Sequence, residues 1–428
     1  MNFKEKALKY HSDLPCGKIS VVPVKPCSNQ EELSLAYTPG VACASQEIAD
    51  NPLESFKYTG RANLVGVVTD GSAVLGLGDI GPEASKPVME GKSVLFKRFA
   101  GINSFDIELK VSDTDMFIKH VKAMEPTFGG INLEDIASPR CFQIEDVLKK
   151  ELSIPVFHDD QHGTAVIAGA ALLNAVELTG KSFSGMKIVI CGTGAAGVAV
   201  YEHIVRMGVE PSNISCFDIH GVLYRGRKEK IGPRHEKMFR DTEKRTLKDL
   251  MENADVFIGV SAGGVVSGEM ISVMASKPVI FALANPEPEI SPEIAKKLRP
   301  DAIVGTGRSD FPNQVNNVMG FPAIFRGALD VRSTSVTSGM KIAASRALAE
   351  LARKAVPESV LLSYGLEQLE FSENYLIPKP FDRRVLVEVA SAVAQKAVDE
   401  GVARVFPDME KYREKLVKLS EFLEENYG

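Results

Sequence analysis

The sequence predicts an α/β fold with two parallel-sheet domains and a tail of helices. Short apolar runs bounded by Gly, Asn and Asp alternate with longer helical patterns from Asn63 onward, the pattern of parallel strands joined by crossover helices. The strand signals stop after about Phe321, and Ala-rich, amphipathic stretches take over. The 428 residues, at about 150 per domain, give a prior of two to three domains. Hydrophobic residues make up 44% and charged residues 25%, which excludes a disordered chain, a small disulfide scaffold and a collagen-like repeat. The formal charge of −6 argues against a non-specific nucleic-acid binder, because no basic excess exists to neutralise phosphates. An anionic substrate stays open, since a local cleft can oppose the global sign.

The first 60 or so residues read as helical and loop-rich. Leu64 to Thr69 reads as a buried strand stopped by Asp70-Gly71. A Gly-rich loop, Gly76 to Gly81, leads to a helix starting at Pro82-Glu83. Strands follow at Phe105–Leu109, Gly130–Leu133 and Pro155–Phe157, with helices at Thr114–Met124 and Pro139–Glu151 between them. Gly163 to Thr179 is a long apolar stretch, but Asn174 and Glu177 interrupt it, so it reads as a buried helix stopped by Gly180 rather than as a membrane span. A second α/β unit starts at Lys187–Cys191 and continues through strands at Ile214–Phe217, Val256–Val260, Val279–Ala282 and Ala302–Val304. Helices are expected at Met340–Ala355, Val385–Val398 and Asp408–Leu423. In the last, Met409, Tyr412, Leu416, Leu419 and Leu423 form an apolar stripe, a dimer seam or, more simply, a face docked on its own domain. The six cysteines contain no C-x-x-C pair and suit a reduced, intracellular chain, and no apolar signal core follows the first residues.

Gly192-Thr193-Gly194-Ala195-Ala196-Gly197 follows the β-run Lys187–Cys191 and opens a helix. This is G-x-G-x-x-G in its required context. The first Gly permits the tight turn, the second lets the backbone approach a pyrophosphate, and the third lets helix and strand pack closely. Free N–H groups of Ala195 and Ala196 at the helix start would face the phosphates. Asp218 ends the next strand, where an acid meets the ribose hydroxyls. A Rossmann-type dinucleotide-binding domain is therefore expected. A free carboxylate at Asp218 favours NAD; Arg225, Arg227 and Lys228 follow closely and could neutralise the extra phosphate of NADP, which keeps NADP open.

Glu134-Asp135 and Asp159-Asp160 each stand at a predicted strand end, where open α/β sheets bind ligands. Carboxylates converging there repel one another unless a cation joins them. Hard oxygen donors point to Mg²⁺ or Mn²⁺, although His158 and His162 flank the second pair and leave a softer metal open. Taken singly, each acidic pair is more often a cap or a solvated turn. Lys92 precedes the apolar run Ser93–Phe96; partial burial would lower its pKa and make its amine a base, whereas a snorkelling surface lysine is the plainer reading. Tyr37 stands in a rigid turn, Tyr37-Thr38-Pro39-Gly40, that could aim its phenol at a site.

Taken together, Tyr37-Thr38-Pro39-Gly40-Val41-Ala42, Val68-Thr69-Asp70-Gly71-Ser72-Ala73-Val74-Leu75-Gly76-Leu77-Gly78-Asp79, Gly91-Lys92, Glu134-Asp135, His158-Asp159-Asp160-Gln161-His162-Gly163-Thr164-Ala165, the Gly192–Gly197 loop, Ala284-Asn285-Pro286 and Gln314-Val315-Asn316-Asn317 resemble malic enzyme in its short microbial form. The resemblance runs from about Tyr37 to the C-terminal helices. It implies oxidative decarboxylation of (S)-malate to pyruvate and CO₂ with NAD(P) and a divalent metal. It implies Glu134, Asp135 and Asp160 as metal ligands, and Lys92 as the group that takes the C2 hydroxyl proton while hydride leaves for the nicotinamide. The metal would act as the Lewis acid that stabilises the enolate. Tyr37 would protonate C3 of enolpyruvate, assisted by Lys92, and Asp159 would support Lys92 or the metal shell. Asn285 and Asn317 would hydrogen-bond the substrate carboxylate, Asn285 also lying at the cofactor.

One position departs from the family. Large-subunit malic enzymes carry a malate-gripping arginine two residues after the Asp-Gly, where this chain has Ala73. Amide groups or a partner chain would have to replace it. The resemblance also implies a homodimer or higher homo-oligomer whose N-terminal region crosses the interface, so that Tyr37 serves its own or the neighbour's site. The expected division is a catalytic domain over 1–160, a dinucleotide domain over 161–317 and a helical segment over 318–428 that returns to the first. A cytoplasmic protein without nucleic-acid or membrane partners is expected. The competing readings are a non-decarboxylating 2-hydroxy-acid dehydrogenase and a catalytically inactive dinucleotide sensor.

Overall fold

The computed structural model describes residues 2–74, 76–229 and 232–427; Leu75, inside the Val68–Asp79 motif, lies outside the described residues. Four strands form the first sheet: β1 (Leu64–Thr69), β2 (Asn103–Glu108), β3 (Gly130–Leu133) and β4 (Val156–His158). Their spatial order is β2-β1-β3-β4, and every pair is parallel. Central position explains composition: β1 and β3 are apolar almost throughout because helices cover both faces of a parallel sheet. The helix Gly81–Ala100 crosses from β1 to β2 and stops at Gly101, whose φ of 65° is the left-handed conformation that favours glycine.

Register then decides what meets. Leu133 lies beside Val68 on one side and His158 on the other. The residues that follow β3 and β4, Glu134 and Asp159, are thereby brought to the same carboxyl edge. Asp159 and Asp160 stand directly after β4, as the sequence suggests, and also form the first turn of the helix Asp159–Thr179, which starts four residues earlier than the apolar pattern does. Two acids in a helix's first turn favour its positive end. The helix ends at Gly180 as expected.

The second sheet contains β5 (Ile188–Cys191), β6 (Ile214–Asp218), β7 (Gly221–Val222), β8 (Val256–Gly259), β9 (Val279–Ala282) and β10 (Ile303–Thr306). Their order is β10-β9-β8-β5-β6-β7, parallel except for β7, a short antiparallel edge strand that the sequence reading does not contain. From β5 the chain winds out through β6, then returns to β8 on the other side. The Gly192–Gly197 loop therefore leaves the sheet at its topological switch point, where such folds bind ligands.

The C-terminal helices pack back onto the first sheet's layer. Phe96 of the helix Gly81–Ala100 meets Phe321 and Phe325 edge to face, at ring separations of 4.8 and 5.2 Å. The helix Met409–Tyr427 buries Tyr412, Leu416 and Leu423 against its own chain, and Leu419 lies beside Gly101. At the other end, the helices Phe3–Ser12, Gln30–Ala36 and Val41–Asp50 bury no residue at all. Among the described residues, no helix is long and apolar enough to cross a membrane.

Candidate active site

Lys92 lies in the middle of the helix Gly81–Ala100, on the face that also buries Met89, Ser93 and Phe96. Its side chain is 7% exposed, so the snorkelling reading is wrong. Nζ lies 2.6 Å from Asp159 Oδ2 and 2.8 Å from Glu134 Oε1, and 4.1 Å from the centroid of the Phe321 ring. Asp159 is fully buried. Its Oδ2 also accepts from Asn317 Nδ2 at 2.6 Å. Gly163 permits this: a Cβ there would lie 2.0 Å from Asp159 Oδ1. Asn132, two residues before Glu134 on the same strand face, donates Nδ2 to Glu134 Oε2 at 2.8 Å.

Around this core stand the predicted metal ligands. One carboxylate oxygen from each of Glu134, Asp135 and Asp160 lies within 4.8 Å of the others. Asp160 Oδ2 accepts from the Asp135 amide at 2.8 Å, tying the two strand ends together. Asp135 holds a left-handed φ of 52°, a conformation that costs a non-glycine residue on the order of 1 kcal/mol and recurs at functional sites. Both ring nitrogens of buried His158 lack a hydrogen-bond partner among the described residues.

Among the described residues, Glu134 and Asp159 thus share the Lys92 ammonium. Burial pushes the Glu134 carboxyl up to about 7, with Lys92 opposing and Asp160 adding to the rise. Burial likewise takes Asp159 to about 7 and Asp160 to about 6, again with Lys92 opposing. Lys92 moves the other way from the sequence expectation. Burial opposes its charge, but Asp159 and Glu134 outweigh burial and hold the ammonium above its ordinary value. The residues that make Lys92 buried are the ones that keep it protonated, which the helical pattern around it could not reveal. Hard oxygen donors in this number and spacing fit Mg²⁺ or Mn²⁺, and a divalent cation would offset the burial, and the lesser mutual repulsion, that raise the carboxyls.

The dinucleotide loop has the geometry its glycines promise. Gly192 has φ 102°, and a Cβ there would lie 2.4 Å from the Val260 carbonyl; at Gly197 it would lie 1.9 Å from the Gly192 carbonyl. At Gly194, which caps the helix Ala195–Met207, a Cβ would meet nothing within 4 Å. That open side, with Ala195 and Ala196 starting the helix, leaves room for a pyrophosphate. Asn285 reaches across to the first half: its carbonyl and Pro286 lie against Gly76. Asp218 ends β6 as expected but is not free. Both of its carboxylate oxygens are held by Arg227.

One predicted residue stands elsewhere. Tyr37 is 70% exposed on the N-terminal arm, and among the described residues no hydrogen bond or ring contact links it to Lys92. The three helices around it bury nothing, so no packing of this chain carries Tyr37 to the cluster. At Ala73 the amide donates to the Asp135 carbonyl at 2.9 Å, and the Ser72 amide donates to Asp70. Those two amides are committed inside the chain. Asn132 and Phe321 were missed. The period-2 spacing from Asn132 to Glu134 was a signal for the first; Phe321, distant in sequence and in no motif, gave none.

The family model for the malic enzyme N-terminal domain matches residues 16–149, and that for the malic enzyme NAD-binding domain matches residues 161–371. The chain belongs to the malic enzyme family. This malic enzyme family member is 52% identical over 402 residues to the NADP-dependent malic enzyme of Halomonas elongata, covering 94% of this chain and 95% of that one. It is 52% identical over 417 residues to the NADP-dependent malic enzyme of Escherichia coli K12, covering 97% of this chain but 55% of that protein. It is 50% identical over 413 residues to the NAD-dependent malic enzyme of Rhizobium meliloti, covering 96% and 54%. The chain thus spans about half the length of several curated relatives it matches. The crystal structure of the malic enzyme from Pyrococcus horikoshii OT3 superposes with a TM-score of 0.91 at 44% identity, covering 99% of this chain and 97% of that one. Relatives of both cofactor names match at similar identity, so the names do not choose between NAD and NADP.

Proposed function

We propose that the protein catalyses oxidative decarboxylation of (S)-malate to pyruvate and CO₂ with reduction of NAD(P)⁺. The observation that carries this reading is the buried Lys92–Glu134–Asp159 cluster, beside three clustered carboxylates on a chain of this family. Glu134, Asp135 and Asp160 hold Mg²⁺ or Mn²⁺ in this reading; the metal supplies Lewis acidity for loss of CO₂.

Lys92 accepts the C2 hydroxyl proton as hydride leaves C2 for the nicotinamide. As an ammonium it must first give up a proton, and Asp159 Oδ2, at 2.6 Å and with its carboxyl raised to about 7, is the acceptor within reach. Asn317 and the Phe321 ring fix this pair from two sides. Asn285 and Asn317 orient the substrate carboxylate, and the Gly192–Gly197 loop with Ala195 and Ala196 seats the pyrophosphate. Tyr37 returns a proton to C3 of enolpyruvate.

The exposure of the arm supports a homodimer in which Tyr37 serves the neighbour. Phe3, Leu14, Val24 and Tyr37 are all largely exposed and are free of this chain's core to meet a second copy. Within each protomer we propose a catalytic domain over 1–160, a dinucleotide domain over 161–317 and a returning helical segment over 318–428, supported by the packing of Phe321 and Phe325 on Phe96. All six cysteines are unpaired, which supports a reducing compartment, the cytoplasm in this reading. The test is stoichiometric. Purified protein with malate, NADP⁺ or NAD⁺ and Mn²⁺ should release one CO₂ per NAD(P)H; NAD(P)H formed without CO₂ would make it a simple hydroxy-acid dehydrogenase.

A further inference from the structure

Glu289 is a fully buried acid that no step above uses. It follows β9 and the segment Ala284-Asn285-Pro286, and its side chain turns back under two loops. Oε1 accepts from the Ser261 amide at 2.8 Å and from the Ser261 hydroxyl at 3.1 Å. Oε2 accepts from the Ala284 amide at 3.1 Å. The backbone laces the same two loops together: the Glu289 carbonyl accepts from the Val266 amide at 3.0 Å, and the Pro288 carbonyl from the Gly264 amide at 3.1 Å. Gly259, the last residue of β8, makes the space, since a Cβ there would lie 2.3 Å from Glu289 Cδ. Among the described residues no lysine, arginine or histidine pairs with this acid. Burial pushes its carboxyl up, and the Ser261 and Ala284 amides oppose the rise.

A buried acid without a cation is a poor source of stability. What it supplies is geometry, because each oxygen takes a backbone N–H from a different loop. A carboxylate meets that demand at both oxygens; a side-chain amide does not, since its NH₂ only donates. Both loops carry the site. Ser261 follows Val260, whose carbonyl closes on Gly192 of the dinucleotide loop. Ala284 precedes Asn285, whose carbonyl lies against Gly76 and whose Nδ2 lies against Gly307.

We propose that Glu289 is a positioning residue, which fixes Asn285 against the dinucleotide loop and so holds substrate and cofactor at one spacing. Site residues keep such spacings only when a supporting set of hydrogen bonds locks them. The proposal rests on the reading above that Asn285 orients the substrate carboxylate.

A double-mutant cycle tests it. Initial rates with malate are measured on the wild type, Glu289→Gln, Asn285→Ala and the double variant, beside Mn²⁺ binding by electron paramagnetic resonance. Glu289→Gln should lower kcat/KM for malate by about tenfold or more, as a small misplacement at a site does. In the Asn285→Ala background the same change should cost less than about twofold, because its effect runs through Asn285. Mn²⁺ affinity should stay put. Glu289→Asp keeps the charge but is one methylene short of both amides, and carries the same comparison if Glu289→Gln melts early. No loss on replacing Glu289, equal losses in both backgrounds, or Mn²⁺ affinity that falls along with turnover overturns the proposal alone. An Asn285→Ala variant with wild-type kinetics, or a wild type that does not turn over malate, overturns the reading beneath it.

Discussion

Two acidic strand ends look alike in the sequence and differ in charge balance in the structure. After β3, Glu134 shares the Lys92 ammonium with Asp159 and stands in one carboxylate cluster with Asp135 and Asp160. After β6, Asp218 has an arginine to itself. In the first arrangement burial raises the carboxyls of Glu134, Asp159 and Asp160, with Lys92 opposing; in the second the acid and the arginine balance each other. A strand-end acid is therefore not a sufficient sign of what binds. The cations that share its pocket set how much of its charge is left for a ligand.

Removing the Lys92 ammonium from the first pocket should have the largest effect. Lys92→Ala should lower malate-dependent NAD(P)H formation by about 10³-fold, within the range for loss of a general acid–base group, while calorimetric NADP⁺ affinity stays put. A variant that keeps wild-type turnover would remove Lys92 from the chemistry. Next comes the acid excess itself. Asp160→Asn should weaken Mn²⁺ binding, read by electron paramagnetic resonance of free Mn²⁺, by at least about tenfold. Asp218→Asn should leave Mn²⁺ binding unchanged. Equal effects would erase the contrast between the two strand ends.

The arm offers a third test. Tyr37→Phe and Lys92→Ala protomers should each be nearly inactive, but co-refolded mixtures should regain up to about a quarter of wild-type activity per site, because a hybrid dimer contains one site with both residues when Tyr37 crosses the interface. No recovery would place Tyr37 in its own chain's site.

The smallest expected effect concerns a cation with the opposite imbalance. Lys341, on the helix Ser338–Ala352, is buried with Nζ 3.0 Å from His162 Nδ1. Burial pushes its amine down to about 7; Lys149 and Arg206 add to the fall, and Glu145 and Glu202 oppose it. A lysine whose folded pKa lies below its unfolded value of about 10.4 binds fewer protons folded than unfolded in between, so stability rises with pH from about 7 toward 10. Lys341→Met should flatten the dependence of Tm on pH between 7 and 9. An unchanged slope would show that Lys341 does not titrate there.

Much of the fold was legible because parallel strands buried on both faces leave short apolar runs, as at Leu64–Thr69 and Val279–Ala282, and because Gly180 and the Gly192–Gly197 loop mark their own turns. The edge strand β7 was not, since two residues carry no periodicity. Candidate site residues were legible as types and motif positions, not as neighbours. No local pattern could show that Lys92 lies between Glu134 and Asp159, 42 and 67 residues away, nor that this placement raises its pKa instead of lowering it. Arg227 was visible as a basic residue near Asp218, but only the short antiparallel excursion through Gly221–Val222 and back shows that it closes on that carboxylate.

The central claim is that the acid excess at Glu134, Asp135 and Asp160 holds the cation on which malate turnover depends. Initial rates of NAD(P)H and CO₂ formation on metal-stripped protein, before and after adding Mn²⁺, test it directly. The account predicts no turnover without the metal and coupled formation of both products once Mn²⁺ is restored. Equal rates in the stripped and reloaded protein would contradict it.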